Sequence, residues 1–219
     1  SSHHEEGPGQ NEIDFKYGTP LSAADNAVTF KSVVQTIARR NGLYADFSPK
    51  PLMHESGNGL HINVSVKSKD GKDLTDSFMA GVLDHIVEMT AFLNPVKESY
   101  KRLGEKKAPK YVTWSPENRS QLIRIPAVKS EESRRIELRS PDPCANPYIA
   151  YALIIYAGLD GIKRGLVPEK PNNADLFTAE NDITDGLVSL PDTVEKAKSI
   201  ALHSEFIRKV LPEGYTENI

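Results

Sequence analysis

The chain has 219 residues, 38% apolar and 26% charged, with a net charge of −3. That composition describes an ordinary water-soluble fold of one large or two small domains. It gives no footing for a nucleic-acid or anionic-membrane partner. The longest nearly apolar run, 149–159, is far short of the roughly 20 residues a bilayer span requires. A single cysteine, Cys144, excludes an internal disulfide framework, fits a reducing cytoplasm, and reads as a small packed residue.

In chain order, residues 12–17 alternate in character and predict a strand. A helix is expected over 22–41, with Val28, Val34, Ile37 and Ala38 as its apolar stripe and Gly42 as its stop. A strand over 60–66 leads into the turn Lys69-Asp70-Gly71-Lys72. Thr75 or Asp76 then caps a helix whose Phe78, Val82, Ile86, Met89 and Leu93 form one stripe. His85 beside that stripe reads as a packed or surface histidine without metal-site partners. Strands follow near 121–125 and 135–138. Asn146 caps a helix with Pro147 in its first turn, apolar nearly all round and so expected to be buried. Residues 168–191 read as a long surface loop, and short helices after Pro191 and near 204–210 close the chain. Strands and helices without strict alternation predict an α+β fold.

Two constellations carry possible chemistry. Glu5, Glu12, His61 and Glu137 form an oxygen-rich set with one imidazole, suited to Mg²⁺ or Mn²⁺. Solvated surface charges are the alternative for the carboxylates. Arg102, Arg119, Arg124, Arg134, Arg135 and Arg139 could grip carboxylates and phosphates by paired hydrogen bonds. An ordinary ion-pair network with Glu131, Glu132 and Asp142 is the alternative.

The motifs containing these residues resemble one family. Residues 3–12, His-His-Glu-Glu-Gly-Pro-Gly-Gln-Asn-Glu, resemble the glutamine synthetase segment H-H-E-x-x-P-G-Q-x-E. Gly57-Asn58-Gly59-Leu60-His61 resembles its G-x-G-[ML]-H. Asn118-Arg119-Ser120 with Ile123-Arg124-Ile125-Pro126 matches N-R-S…I-R-I-P. Residues 135–148 match R-[IV]-E-x-R-x-P-D-P…N-P-Y. The resemblance covers nearly the whole chain in one order.

It implies a curved, largely antiparallel sheet flanked by helices, and ATP-dependent joining of ammonia to glutamate through γ-glutamyl phosphate. It implies that Glu5 and Glu12 ligate one metal ion, and His61 and Glu137 another beside the phosphates. Arg102, Arg139 and Gly57 would bind glutamate. Arg119 and Arg124 would steady the phosphoryl group, and Asn63, Ser65 and Arg135 would join them at the nucleotide. It further implies a cytoplasmic, ring-stacked homo-oligomer serving glutamine biosynthesis. Residues 1–219 would be the C-terminal catalytic part of a longer parent that also carries a β-grasp domain and a Glu-x-Glu strand. The chain alone is then expected to be inactive.

Some positions depart from the pattern. Where the family's mobile loop carries a glutamate before Ala-Pro, this chain has Lys107, and Glu105 could substitute for it as the catalytic carboxylate if the loop shifts. Ser56 and Asn63 replace commoner residues beside the glutamate and nucleotide sites. Phe177 falls near a tyrosine that some relatives adenylylate. The lysine leaves a larger acceptor amine open as an alternative. A non-catalytic assembly protein is the other.

Overall fold

The structure is a computed structural model and describes residues 1–128, 130 and 133–216. Glu131 and Glu132, expected in an arginine network, lie outside the described residues.

The N-terminal segment forms a two-stranded antiparallel ribbon, β1 (Ser2–His4) and β2 (Asn11–Ile13). The strand predicted over 12–17 therefore ends early, at Ile13. The turn between the strands closes with the Gln10 N–H on the Gly7 carbonyl, 2.9 Å, and Gly9 in the left-handed region at φ 71°. The strand β1 has no apolar alternation that a sequence reading could detect.

Helix α1 (Pro20–Arg40) begins two residues before the predicted start, because proline at the first helical position is already preset for a helix. It stops as predicted. Gly42 takes φ 70°, and the Leu43 N–H reaches back to the Ala38 carbonyl at 2.9 Å. The predicted stripe is only partly buried, with Val28 45% and Ile37 50% exposed. The helix instead seats Ala24 and Ala27 and packs on the later helix α3, since only small side chains allow such a close approach.

The main sheet has the order β3 (Ile62–Val64), β6 (Ile136–Leu138), β5 (Ile123–Arg124), β4 (Trp114–Ser115). The β3–β6 and β5–β6 pairs are antiparallel and β4–β5 is parallel. Helix α2 (Thr75–Leu93) buries all five residues of its predicted stripe. Its cap differs from expectation. Leu74 holds the cap position, and the Asp73 carboxylate accepts both the Thr75 N–H, 2.8 Å, and its hydroxyl, 2.5 Å. Asp73 also pairs with Arg134, so the carboxylate serves two elements at once.

Helix α3 (Pro147–Arg164) starts as predicted, with the Asn146 side chain accepting the Tyr148 N–H at 3.0 Å. Asn146→Ala should cost about 1 kcal/mol, read from the midpoint of urea unfolding, while Asn146→Ser should restore most of it. The helix is not buried all round. Ala150, Leu153, Ile154, Ala157, Gly158 and Gly161 face the core, whereas Tyr156 and Leu159 remain about half exposed. A helix apolar on every face needs partners on every face, and here α2, α1 and α6 cover it while leaving Tyr156 and Leu159 to solvent.

Residues 168–191 do run over the surface but are strapped down and include a short helix, α4 (Asn181–Thr184). Gln121 and Asn118 donate to the Ala174 carbonyl at 2.9 Å each, and the Ser120 hydroxyl accepts the Leu176 N–H at 3.0 Å. Helices α5 (Val194–His203) and α6 (Glu205–Val210) complete the core against α2. Cys144 is half-buried, and burial raises its thiol pKa. Among the described residues no helix is long and apolar enough to cross a membrane.

Candidate active site

Strand alternation places the site. On β6, Ile136 and Leu138 face the helices, so Glu137 must face the other way, with Arg135 and Arg139 two residues to either side. Register aligns Asn63 of β3 and Arg124 of β5 opposite Glu137. His61 and Ser65 continue the alternation from Asn63. One face of the sheet thus collects His61, Asn63, Ser65, Arg124, Arg135, Glu137 and Arg139, while the opposite face feeds the core.

Glu137 is the centre of that face and only 5% exposed. Its Oε2 accepts from Arg124 Nε at 2.8 Å and faces Arg124 Nη2 at 2.6 Å. Its Oε1 accepts from Arg139 Nη1 at 2.6 Å and lies 3.3 Å from His61 Nδ1. Burial acts to raise the Glu137 carboxyl pKa, but the facing guanidinium groups, Arg139 before Arg124, outweigh it and hold the group below its ordinary value. Burial, with Arg139 second, pushes the His61 imidazole down to about 3, so it is neutral at physiological pH. A neutral imidazole beside an ionised carboxylate offers a lone pair and a charge to a divalent cation.

A second cluster forms on the N-terminal ribbon. Register brings His3 opposite Glu12. His3 Nδ1 lies 3.5 Å from Glu5 Oε1, and His3 Nε2 lies 3.9 Å from Glu12 Oε1. One ligand atom from each of the three lies within 4.8 Å of the others. Burial, and then the neighbouring Glu5, raises the Glu12 carboxyl pKa. A carboxylate whose ionisation a neighbouring carboxylate opposes fits a place where a hard cation would relieve the repulsion. His3 was not among the predicted ligands. Its only signal was the i, i+2 spacing to Glu5, which means nothing until β1 is known to be a strand.

The two clusters are linked. The Gln10 side chain donates to the Gly57 carbonyl at 3.1 Å and to Asn58 Oδ1 at 2.9 Å. A Cβ at Gly57 would lie 2.9 Å from Arg102 Cγ, and one at Gly59 would lie 2.7 Å from Arg102 Nη2 and 3.1 Å from His61 Nε2. The glycines therefore let the chain pass directly over Arg102 and His61. Arg102 is buried beneath them and donates to the Ser140 carbonyl at 2.7 Å and the Arg139 carbonyl at 3.1 Å. Burial lowers its pKa to about 10, so the guanidinium stays charged at neutral pH.

The other predicted residues are more dispersed. Arg135 donates from Nε to Asn63 Oδ1 at 3.0 Å. The Arg119 side chain is exposed, and its carbonyl accepts from Arg139 Nε at 3.1 Å. Ser65 is exposed on the extension of β3. Arg134 does not join the face, since Asp73 and Asp76 bind it at 3.0 and 2.6 Å, partners other than the Glu131, Glu132 and Asp142 expected for an ion-pair network. His85, read as partnerless, sits between Glu88 at 2.7 Å and Asp160 at 3.0 Å and stacks on Phe206.

Glu105 lines a cavity of about 670 Å³ with Glu6, Glu55, Ser56, Gly104, Lys106, Lys107 and Phe177. Lys107 Nζ is ion-paired to Glu6 Oε1, and the Ser56 hydroxyl donates to Glu6 Oε2 at 3.1 Å. Those two contacts, Lys107 first, hold the Glu6 carboxyl below its ordinary pKa.

A sheet with a buried carboxylate, an imidazole and guanidinium groups on one face and helices on the other defines an α+β domain. The glutamine synthetase catalytic-domain family model matches residues 1–219. The chain belongs to that family. It is 45% identical to a glutamine synthetase of Methanosarcina mazei over 97% of this chain and 51% of that protein. It is 43% identical to a glutamine synthetase of Clostridium saccharobutylicum over 96% of this chain and 51% of that protein. A solved structure of GmaS in complex with ADP superimposes with a TM-score of 0.87 at 32% identity, covering 97% of this chain and 52% of that one. The chain spans about half the length of the curated relatives it matches.

Proposed function

We propose that the whole protein is a glutamate–ammonia ligase of glutamine biosynthesis, with ATP as co-substrate. The γ-carboxylate of glutamate attacks the γ-phosphorus of ATP, ADP departs, and γ-glutamyl phosphate forms. Ammonia then attacks the acyl carbon, phosphate leaves, and a proton is lost to give glutamine.

The carrying observation is the Glu137 cluster, in which a buried carboxylate meets two guanidinium groups and a neutral imidazole within 3.3 Å. Glu5 and Glu12 would hold one divalent cation, and His61 and Glu137 the other. Mg²⁺ or Mn²⁺ there supplies neutralisation of phosphate and carboxylate charge. Arg139, Arg102 and the Gly57 backbone orient glutamate. Arg119 and Arg124 face the transferring phosphoryl group, where positioned charge is the main source of rate. Asn63, Ser65 and Arg135 hold the nucleotide; use of an adenine nucleotide by this fold is supported by the ADP in the GmaS complex. Glu105, which lines the cavity with Glu6, would take the ammonium proton if the loop shifts toward the acceptor. Homo-oligomeric ring assembly and a cytoplasmic setting belong to the same proposal.

The test is phosphate release by the whole protein with Mg²⁺, ATP and glutamate, with ammonium added or withheld. Release that rises on adding ammonium, with glutamine in equal amount, is expected. Phosphate release indifferent to ammonium but driven by a larger amine would replace the acceptor. No glutamate-dependent release at all would overturn the ligase.

A further inference from the structure

The Arg102 guanidinium is buried, yet among the described residues it forms no ion pair. Its hydrogen bonds go to the main-chain carbonyls of Ser140 and Arg139. Burial depresses its pKa, and the opposing charge comes from Asp142, to which no hydrogen bond joins it. Asp142 is itself buried. The link between the two passes through Asn94, the residue that closes α2.

Asn94 Nδ2 donates to Asp142 Oδ2 at 2.9 Å and to the Ser140 carbonyl at 2.8 Å. That carbonyl is the one that accepts from Arg102 Nη1 at 2.7 Å. One oxygen thus uses both lone pairs, and its direction is fixed. Both Asp142 oxygens accept, Oδ1 from the Cys144 N–H at 2.9 Å, as an ionised carboxylate does. The Asp142 N–H donates to the Leu93 carbonyl at 3.2 Å, beside Asn94.

Asn94 is 0% exposed, and its Oδ1 has no hydrogen-bond partner among the described residues. Turning the amide over would set Oδ1 against the Asp142 carboxylate and the Ser140 carbonyl, so the orientation is forced. A buried polar atom without a partner weakens the fold, so its presence has a reason outside stability. That reason lies at Arg102.

Resting on the ligase reading, we propose that Asn94 and Asp142 are positioning residues for glutamate. Asp142 orients the Asn94 amide, and the amide orients the Ser140 carbonyl. That carbonyl, with its Arg139 neighbour, sets the plane of the Arg102 fork. The same hold on 139–142 steadies Arg139, the second guanidinium of the glutamate site. Both positioning residues are fully buried, so they act on glutamate only through these arginines. A fork offers two parallel hydrogen bonds to a carboxylate only when its plane is set. Asn63 and Arg135, read as nucleotide ligands, bind each other and take no part in this network.

Calorimetric titration of the whole protein with L-glutamate and, separately, with ADP in the presence of Mg²⁺ reads the claim. Asp142→Asn keeps the shape of the side chain. Whichever way the new amide turns, it sets a donor against the Cys144 N–H or against Asn94 Nδ2. Asn94→Leu keeps the bulk and removes the donor. Each should weaken glutamate binding roughly tenfold and ADP binding less than about twofold. If one variant does not fold, the other decides. A merely structural role would weaken both ligands alike, and that result overturns the proposal. So does glutamate affinity unchanged in either variant, or failure of both to fold. A parent protein that binds glutamate but releases no phosphate would sink the ligase reading and leave the positioning roles standing. One that binds no glutamate ends both.

Discussion

Glu137→Gln should destabilise the fold by about 3 kcal/mol, the scale for removing one partner of a buried ion pair. The reason is what stays behind. Arg139 is 4% exposed and keeps its charge, yet loses the carboxylate at 2.6 Å. Arg124 is more exposed and can turn toward water, which is why the figure lies at the low end for such a cluster. Urea unfolding of the two proteins gives the difference, and a shift under 1 kcal/mol would show that solvent already reaches the cluster.

The pH dependence has a definite sign. The folded carboxyl lies below its unfolded value of 4.5. Its contribution is therefore complete above that value and is lost as pH falls through the folded value. The gap between parent and variant should narrow in acid.

The second large effect is expected at Gly81. A Cβ there would lie 2.2 Å from the Ala157 carbonyl oxygen and 2.7 Å from the Gly161 backbone. Gly161 meets Gly81 in return, its own Cβ position lying 2.6 Å from the Gly81 nitrogen. The two helices touch backbone to backbone, so the obstacle is main chain and cannot rotate away. Gly81→Ala must push α2 and α3 apart, loosening the contact that buries Met79, Val82, Leu153 and Ile154. Overpacking of a tight core costs about 1–3 kcal/mol, and the upper end applies where backbone is struck. At this chain length 3 kcal/mol lowers Tm by about 6–12 °C. An unchanged Tm would mean that the helices already stand further apart. Alanine's higher helix propensity, worth up to about 1 kcal/mol, opposes the loss but is too small to reverse it.

Much of this protein was legible along the chain. The α2 stripe, the Asn146–Pro147 start of α3 and the Gly42 stop are local signals. Each depends on residues within a few positions of one another, where periodicity and backbone preference act. The strand carrying Arg135 and Glu137 is equally local, though only the register of β6 showed that Arg135, Glu137 and Arg139 share one sheet face. Motif order gave the family.

What the chain could not state was which distant charges meet. Lys107 and Glu6 are 101 positions apart, and nothing near either names the other. His85 found Asp160 across the α2–α3 contact, and His3 became a candidate ligand only once β1 paired with β2. Exposure was decided the same way. Val28, Ile37 and Tyr156 are apolar by identity, but whether an apolar side chain is covered depends on which element packs against it. Local chemistry sets the elements and the faces they offer; the path of the chain in three dimensions decides which faces and which charges come together.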